Sequence, residues 1–317
     1  MGAWLERLGV GFPIVQAGMG GGLARHRLAA EVSQAGGLGT IGMLSPGALA
    51  AELTRARALT ARPLAVNLIV PLARRAHWRE AAAADVVFTH WGRPRRRTAG
   101  TWVHQCGSVS EARRAHAAGA DAVIAQGREA GGHTRASLGA EDLLERIRAA
   151  LPAGFPVLMA GGVANAGDVS RALSAGAEAA VLGTRFLLTP ESRAHPGYRQ
   201  RLREGQRTLL TELFGTGWPA APHRVLPNAA TDRWLGVDPR GPLAVRALNR
   251  LSAPLGRLSL PDTTAHQRPG LPLLTPSPPT DERAASLLDS GPLYAGESVA
   301  RLSDVRPAAE LVGALTP

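Results

Sequence analysis

One octapeptide of this sequence combines an amide, three glycines and an imidazole: Gln126-Gly127-Arg128-Glu129-Ala130-Gly131-Gly132-His133. Gln126 offers a donor and an acceptor on one group, which suits the edge of a heterocycle. An unperturbed histidine titrates near ~6.5, so His133 is suited to moving protons at neutral pH. Flexible Gly131-Gly132 would let it turn toward a ligand. From spacing alone His133 reads equally well as a catalytic group or as a structural one. Two other stretches pair glycine with a helix start: Gly161-Gly162 ahead of Asn165-Ala166, and Gly183-Thr184. Glycines there let backbone N–H groups approach an anion closely, and a helix N-terminus adds a favourable dipole. The bland alternative is two ordinary tight turns.

These loops need a scaffold that brings them together. Short β-branched runs alternate with alanine-rich helical stretches along the chain. Strands are predicted at 13–17, 38–43, 64–70, 86–89, 101–105, 122–126, 157–160 and 179–182. Helices are predicted at 26–34, stopped by Gly36-Gly37, at 46–59 with Pro46 in its first turn, and at 78–84. Others follow at 108–118, where Ser108 and Glu111 make a capping box, at 141–150 and at 166–175. Only residues 93–100 separate strands four and five, whereas a parallel crossover usually takes a dozen or more. That helix is therefore predicted to shrink to a turn.

Eight strands alternating with helices fit a closed (β/α)8 TIM barrel, an α/β fold, with a doubly wound sheet as the alternative. In a barrel the loops after strands six, seven and eight share the carboxyl end, where catalytic residues sit, and the last two are the usual phosphate site.

After Leu188 the pattern changes. A helix or two is expected between Pro196 and Phe214. Residues 252–280 are proline-rich and read as an ordered excursion or a linker, and 282–288 and 308–315 look helical. The expected organisation is a barrel over 1–190, a small helical or irregular second domain over 191–290, and a C-terminal segment over 291–317 that returns to the barrel.

Composition excludes several chemistries. The 36 basic residues are all arginine, so Schiff-base, pyridoxal-phosphate and Walker A mechanisms, which need lysine, are out. The net charge of +11 comes from arginines spread along helices and tails. The short cluster Arg93 to Arg97 lacks interleaved aromatics, so the pattern reads as a solvated basic surface and not as a nucleic-acid site. Cys106, the single cysteine, ends an apolar run and is expected to pack as a small hydrophobe. No cluster has metal-ligand spacing. No apolar run reaches the ~20 residues of a membrane span, and residues 1–20 lack a signal-peptide pattern; a cytoplasmic protein is expected.

The motifs together resemble one family. Residues 13–19, Val66-Asn67-Leu68, Gln126 to His133, Ala160-Gly161-Gly162-Val163, Leu182-Gly183-Thr184-Arg185-Phe186 and, later, Leu293-Tyr294-Ala295-Gly296 are similar to segments of the nitronate monooxygenases, formerly called 2-nitropropane dioxygenases. The resemblance implies an FMN-binding barrel. Gly162, Leu182, Gly183 and Thr184 would hold the FMN phosphate. Met19, Asn67, Gln126 and Gly131 would line the flavin ring, and His133 would be the active-site histidine. It also implies oxidation of alkyl nitronates by oxygen to carbonyl compounds and nitrite, with a small-molecule substrate and oxygen as partners. An FMN-dependent NAD(P)H reductase of the same superfamily, acting on enoyl-acyl-carrier protein or on quinones, would share these motifs. A flavin-free barrel or nucleic-acid binder would not need glycines at both phosphate loops. The chain departs from the family at residues 252–280, which match no motif, and in its short connections around strand four. The truncated helix marks a place where one side of the barrel would be open.

Overall fold

Strands covered on both faces are mainly apolar, and the barrel strands of this chain are, with polar residues such as Gln16, Asn67, His90, Gln105 and Gln126 toward their carboxyl ends. The computed structural model describes residues 2–257 and 264–317. Its strands are β1 (Ile14–Gln16), β2 (Gly39–Ile41), β3 (Leu64–Ile69), β4 (Val86–His90), β5 (Thr101–Cys106), β6 (Ala122–Gln126), β7 (Gly132–His133), β8 (Val157–Ala160), β9 (Ala180–Leu182), β10 (Leu209–Thr211) and β11 (His223–Val225). Eight of them form a parallel sheet in the order β1-β9-β8-β6-β5-β4-β3-β2. A bridge between Val15 and Leu38 joins its edges: Gln16 N–H donates to Leu38 O at 3.0 Å, and Leu38 N–H to Ile14 O at 2.9 Å. The sheet is thereby closed into a TIM barrel.

The helices are α1 (Ala3–Arg7), α2 (His26–Gln34), α3 (Pro46–Leu59), α4 (Arg75–Ala81), α5 (Val109–Ala117), α6 (Ala140–Ala150) and α7 (Ala166–Ser174). After β9 come α8 (Thr184–Leu187), α9 (Pro196–Glu204), α10 (Ala229–Trp234), α11 (Leu243–Leu251), α12 (Leu287–Ser290) and α13 (Ala308–Leu315). Val15, Phe88, Val103, Ile124, Leu158 and Val181 fill the barrel interior, and Trp4 and Leu5 of α1 pack into the same cluster. Glu178 holds α1 there by accepting from the N–H groups of Trp4 and Leu5. Helix α8 has one turn and cannot cover its strand. Helix α13 completes the outer layer instead, its Leu311, Val312 and Leu315 sharing a buried cluster with Val32 of α2 and Val169 of α7. Among the described residues no helix is long and apolar enough to cross a membrane.

Local signals in the barrel hold up well. Gly36 adopts φ +95° just past α2, and Pro46 occupies the first turn of α3. Cys106 is fully buried in the core, and burial pushes its thiol well above the ordinary range. No helix lies between β4 and β5, as predicted, yet the barrel does not open there. The strands pair continuously from Val86↔Thr101 to His90↔Gln105. Arg96 pins the connection by pairing with both oxygens of Asp121, whose carboxylate also takes the Trp102 N–H at 2.7 Å.

Other expectations change. Ser108 caps α5 by accepting from Glu111 N–H, but the Glu111 carboxylate turns away to Gly107 N–H and Arg135, so only half of the capping box forms. Between Pro196 and Phe214, α9 is followed by strand β10, not a second helix. Helix α12 starts at Leu287, five residues later than predicted from 282. Asp281 and Glu282 instead form ion pairs with Arg193. Helices α10 and α11 were not predicted. Of the proline-rich stretch 252–280, residues 258–263 lie outside the described residues; the rest holds two short 3-10 turns, Ala253–Arg257 and Thr264–His266.

Candidate active site

The carboxyl ends of the barrel strands surround a cleft of about 650 Å³. Met19, Asn67, Gln126, Gly131, His133, Gly162, Leu182, Gly183 and Thr184 all line it, so the fold brings together every residue singled out from the sequence.

One side of the cleft is a backbone surface. Gly161 (φ +123°) and Gly162 (φ +71°) follow β8 in conformations that side chains rarely adopt. Among the described residues, no carbonyl or side chain accepts from the N–H of Gly162 or Gly183. Buried or half-buried N–H groups are almost always paired, so two free donors facing one cleft form a cradle for an anion. A Cβ added at Gly183 would come no closer than 3.7 Å to Ala17, so its space is open to a ligand. Thr184 Oγ1 accepts from Gly296 N–H at 2.9 Å, which leaves its own proton to donate. Arg301 braces this loop from outside: it donates to Gly162 O and pairs with Asp168 at 2.7 and 2.9 Å. Burial works against ionisation of Asp168, but Arg301, the Ala164 N–H and Arg171 overcome it and hold the carboxyl below its usual range. The donors present fit a flavin mononucleotide phosphate, and the polar strand ends beside them fit its ring.

Asn67 closes the next side, donating to Gly18 O at 3.2 Å. Gly18 must be glycine, because a Cβ there would lie 2.2 Å from that of Asn67. Gly131 is required for a different reason from the one its sequence neighbours suggest: a Cβ would meet Gly296 N at 2.5 Å. Gly131 lets the late segment Tyr294-Ala295-Gly296 reach the mouth of the barrel.

His133 does not sit on a flexible loop. It lies in β7, which pairs antiparallel with β11 so that His133 faces His223 in a three-stranded ladder β10-β11-β7. Gln126 Nε2 donates to His133 O at 3.0 Å, fixing the backbone from below. The imidazole stacks on Trp218 with ring centroids 3.9 Å apart and is ringed by Trp91, His223 and Tyr294 at 6.1, 4.9 and 5.5 Å. Its Nε2 is buried without a partner. Burial, reinforced by the neighbouring His223 and His90, holds His133 well below its ordinary pKa, so the ring is neutral at pH 7. An unpaired buried nitrogen costs about 1–3 kcal/mol, which suits a group whose partner is a ligand.

His223 has a different task. Its Nδ1 donates to Ala221 O and its Nε2 accepts from Phe214 N–H, so both nitrogens are used; burial takes it down to about 4.

Trp91, Trp218, His90 and His223 were missed in the sequence, and Tyr294 was read only as part of the late motif 293–296. Trp91 has φ +68°, a genuine outlier for a bulky residue. Arg135 lies 5.2 Å over its ring and is itself held by Glu111 at 2.9 Å. The burial of Glu111 raises its pKa, but His104, the Gly107 N–H and Arg135 outweigh that and keep it ionised. This clamp holds the strained tryptophan against His133. His90 had a readable signal, a strand-end position one residue beyond the predicted end of strand four. Trp218 had none, because its stacking depends on β11 reaching β7 across 90 residues of chain.

The model of the nitronate monooxygenase family matches residues 4–103 and 93–317. The nitronate monooxygenase of Pseudomonas aeruginosa is 33% identical, the match covering 73% of this chain and 82% of that protein. A Mycobacterium tuberculosis 5-hydroxy-7a-methyl-1-oxo-octahydro-1H-indene-4-carboxyl-CoA dehydrogenase is also 33% identical, over 70% of this chain but only 64% of its own length. Among solved structures, the nitroalkane oxidase of Streptomyces ansochromogenes superposes with a TM-score of 0.74 at 30% identity, covering 98% of this chain and 96% of that one. FabK from Thermotoga maritima reaches 0.77 at 24% identity, covering 99% and 94%, a likeness of fold.

Proposed function

Because the chain belongs to the nitronate monooxygenase family and is an oxidoreductase, we propose that it binds FMN and oxidises small alkyl nitronates with oxygen to carbonyl compounds and nitrite. In this reading the backbone donors of Gly162 and Gly183, with Leu182 and Thr184 beside them, hold the phosphate. Met19, Asn67, Gln126 and Gly131 border the ring. Bound FMN supplies an electron acceptor that oxygen can regenerate. His133 borders the substrate over the ring and, being neutral with an unpaired nitrogen, can hydrogen-bond it there. The barrel, residues 1–190, carries the cofactor; residues 191–290 add Trp218 and His223 to the wall around His133; residues 291–317 return to complete that wall with Tyr294 and to brace the phosphate loop.

The observation that carries the reading is the neutral, unpartnered imidazole of His133 set in the same cleft as a cradle of free backbone donors. Nitrite release during aerobic incubation of the FMN-loaded protein with ethylnitronate or propylnitronate tests it. No nitrite above a protein-free control from either substrate would refute it.

One observation favours a second reading. Among the described residues, those lining the cleft include Arg25, Arg74 and Arg283 and no carboxylate. Arg25 is paired outward with Glu282. A cationic mouth suits a phosphate-bearing cosubstrate, which is what an FMN-dependent NAD(P)H reductase would bind.

A further inference from the structure

His90 ends β4 and Gln105 lies opposite it on β5, and both line the cleft. His90 is 9% exposed, yet no described group hydrogen-bonds its ring, and Trp91 lies edge-on to it at 5.4 Å. The Gln105 side chain is likewise unpaired among the described residues, although Gln126 on the next strand is engaged with His133. Buried polar side chains are normally satisfied by protein or water. His90 and the half-buried Gln105 both line the cleft, so two adjacent strand ends that meet no described acceptor are placed to bind a ligand there. The groups around His90 keep it uncharged. Burial, His104 and Arg135 act against its proton, with only Glu111 opposing them, and it is taken down to about 3. A neutral imidazole and an amide each offer an N–H to an oxygen, and among the described residues no carboxylate lines the cleft to repel an anion.

We propose that His90 and Gln105 form a substrate subsite that donates hydrogen bonds to the paired oxygens of a small planar oxyanion. The inference rests on the nitronate reading and names how that substrate would be held. His133 then faces the reacting carbon while His90 sets affinity for the head group and leaves the flavin alone.

Nitrate, a planar oxyanion that the protein cannot oxidise, provides the probe. It is titrated into the oxidised FMN-loaded parent, His90→Phe and His90→Asn, with binding followed by the flavin absorbance. KM and kcat for ethylnitronate are measured alongside. His90→Phe should raise the nitrate Kd and the nitronate KM by about tenfold or more, with kcat changed by less than about threefold, as loss of uniform binding requires. His90→Asn, which keeps a donor, should recover part of the loss, and FMN affinity should stay level. A nitrate Kd that is the same in parent and His90→Phe overturns the proposal, as does a parent that binds no nitrate. If His90→Phe does not load with FMN, Gln105→Leu is expected to give the same shift and serves in its place. Nitrate binding that depends on His90 in a protein that oxidises no nitronate keeps the subsite and removes the function.

Discussion

The two sides of the cleft are built in opposite ways. The cradle after β8 and β9 is backbone, made by glycines close together in sequence and braced by Arg301. The wall around His133 is side chain, made by Trp91, Trp218, His223 and Tyr294, which come from three distant places in the chain. The cradle tolerates no Cβ where φ is positive but asks little of its neighbours. The wall tolerates ordinary backbone almost everywhere and depends on rings meeting. Mutations should therefore separate cofactor binding from turnover according to the side they strike.

The largest effect is expected at the cradle. Gly162→Val forces a β-branched residue into φ +71° and covers a free donor. It should yield a colourless, inactive protein, checked by the flavin absorbance of the purified variant. Normal FMN content in Gly162→Val would break the contrast. Next, His133→Ala should keep FMN and lose about 10²- to 10⁴-fold in kcat, the usual contribution of a positioned acid or base. Full activity on every substrate of the parent would make His133 structural. Trp218→Ala removes the ring stacked 3.9 Å from His133. A loss of about tenfold in kcat/KM is expected, in line with the ~0.5–1.5 kcal/mol of an aromatic pair, together with a rise of the His133 pKa toward ordinary values as burial is relieved. A pH–rate profile reads that rise.

The smallest effect at neutral pH concerns His223. Its folded pKa of about 4 lies below an unfolded value near ~6.5. Between these values the unfolded chain binds a proton that the fold excludes, so stability falls as pH drops from ~6.5 and is unaffected above it. At pH 4 the loss from this residue would be about 3 kcal/mol. Urea midpoints at pH 7 and pH 4 for the parent and His223→Asn measure it; equal acid sensitivity in the two would remove His223 from the account.

The same contrast explains what the sequence made readable. Strand and helix periodicity is local, and so are Gly36 after α2, Pro46 in α3 and the glycine pairs at 161–162 and 183. The barrel and the cradle could thus be read directly. The Gly131-Gly132 pair suggested mobility, but a two-residue strand depends on its partner, and β11 lies in the stretch that had no recognisable pattern. Trp91 carried no signal, since nothing adjacent in sequence reveals Arg135 above its ring. Glu111 looked like a capping residue because the capping-box spacing is local, whereas its partners His104 and Arg135 are tertiary.

The central claim, that this cleft oxidises a small nitronate and does not serve a dinucleotide, is met most directly without oxygen. The FMN-loaded protein is mixed anaerobically with ethylnitronate, and separately with NADH and NADPH, while the flavin absorbance is followed. The account predicts rapid loss of the oxidised spectrum with the nitronate and little or slow change with either nicotinamide. Rapid bleaching by NADH or NADPH with no response to the nitronate would contradict it and place the chain with the reductases.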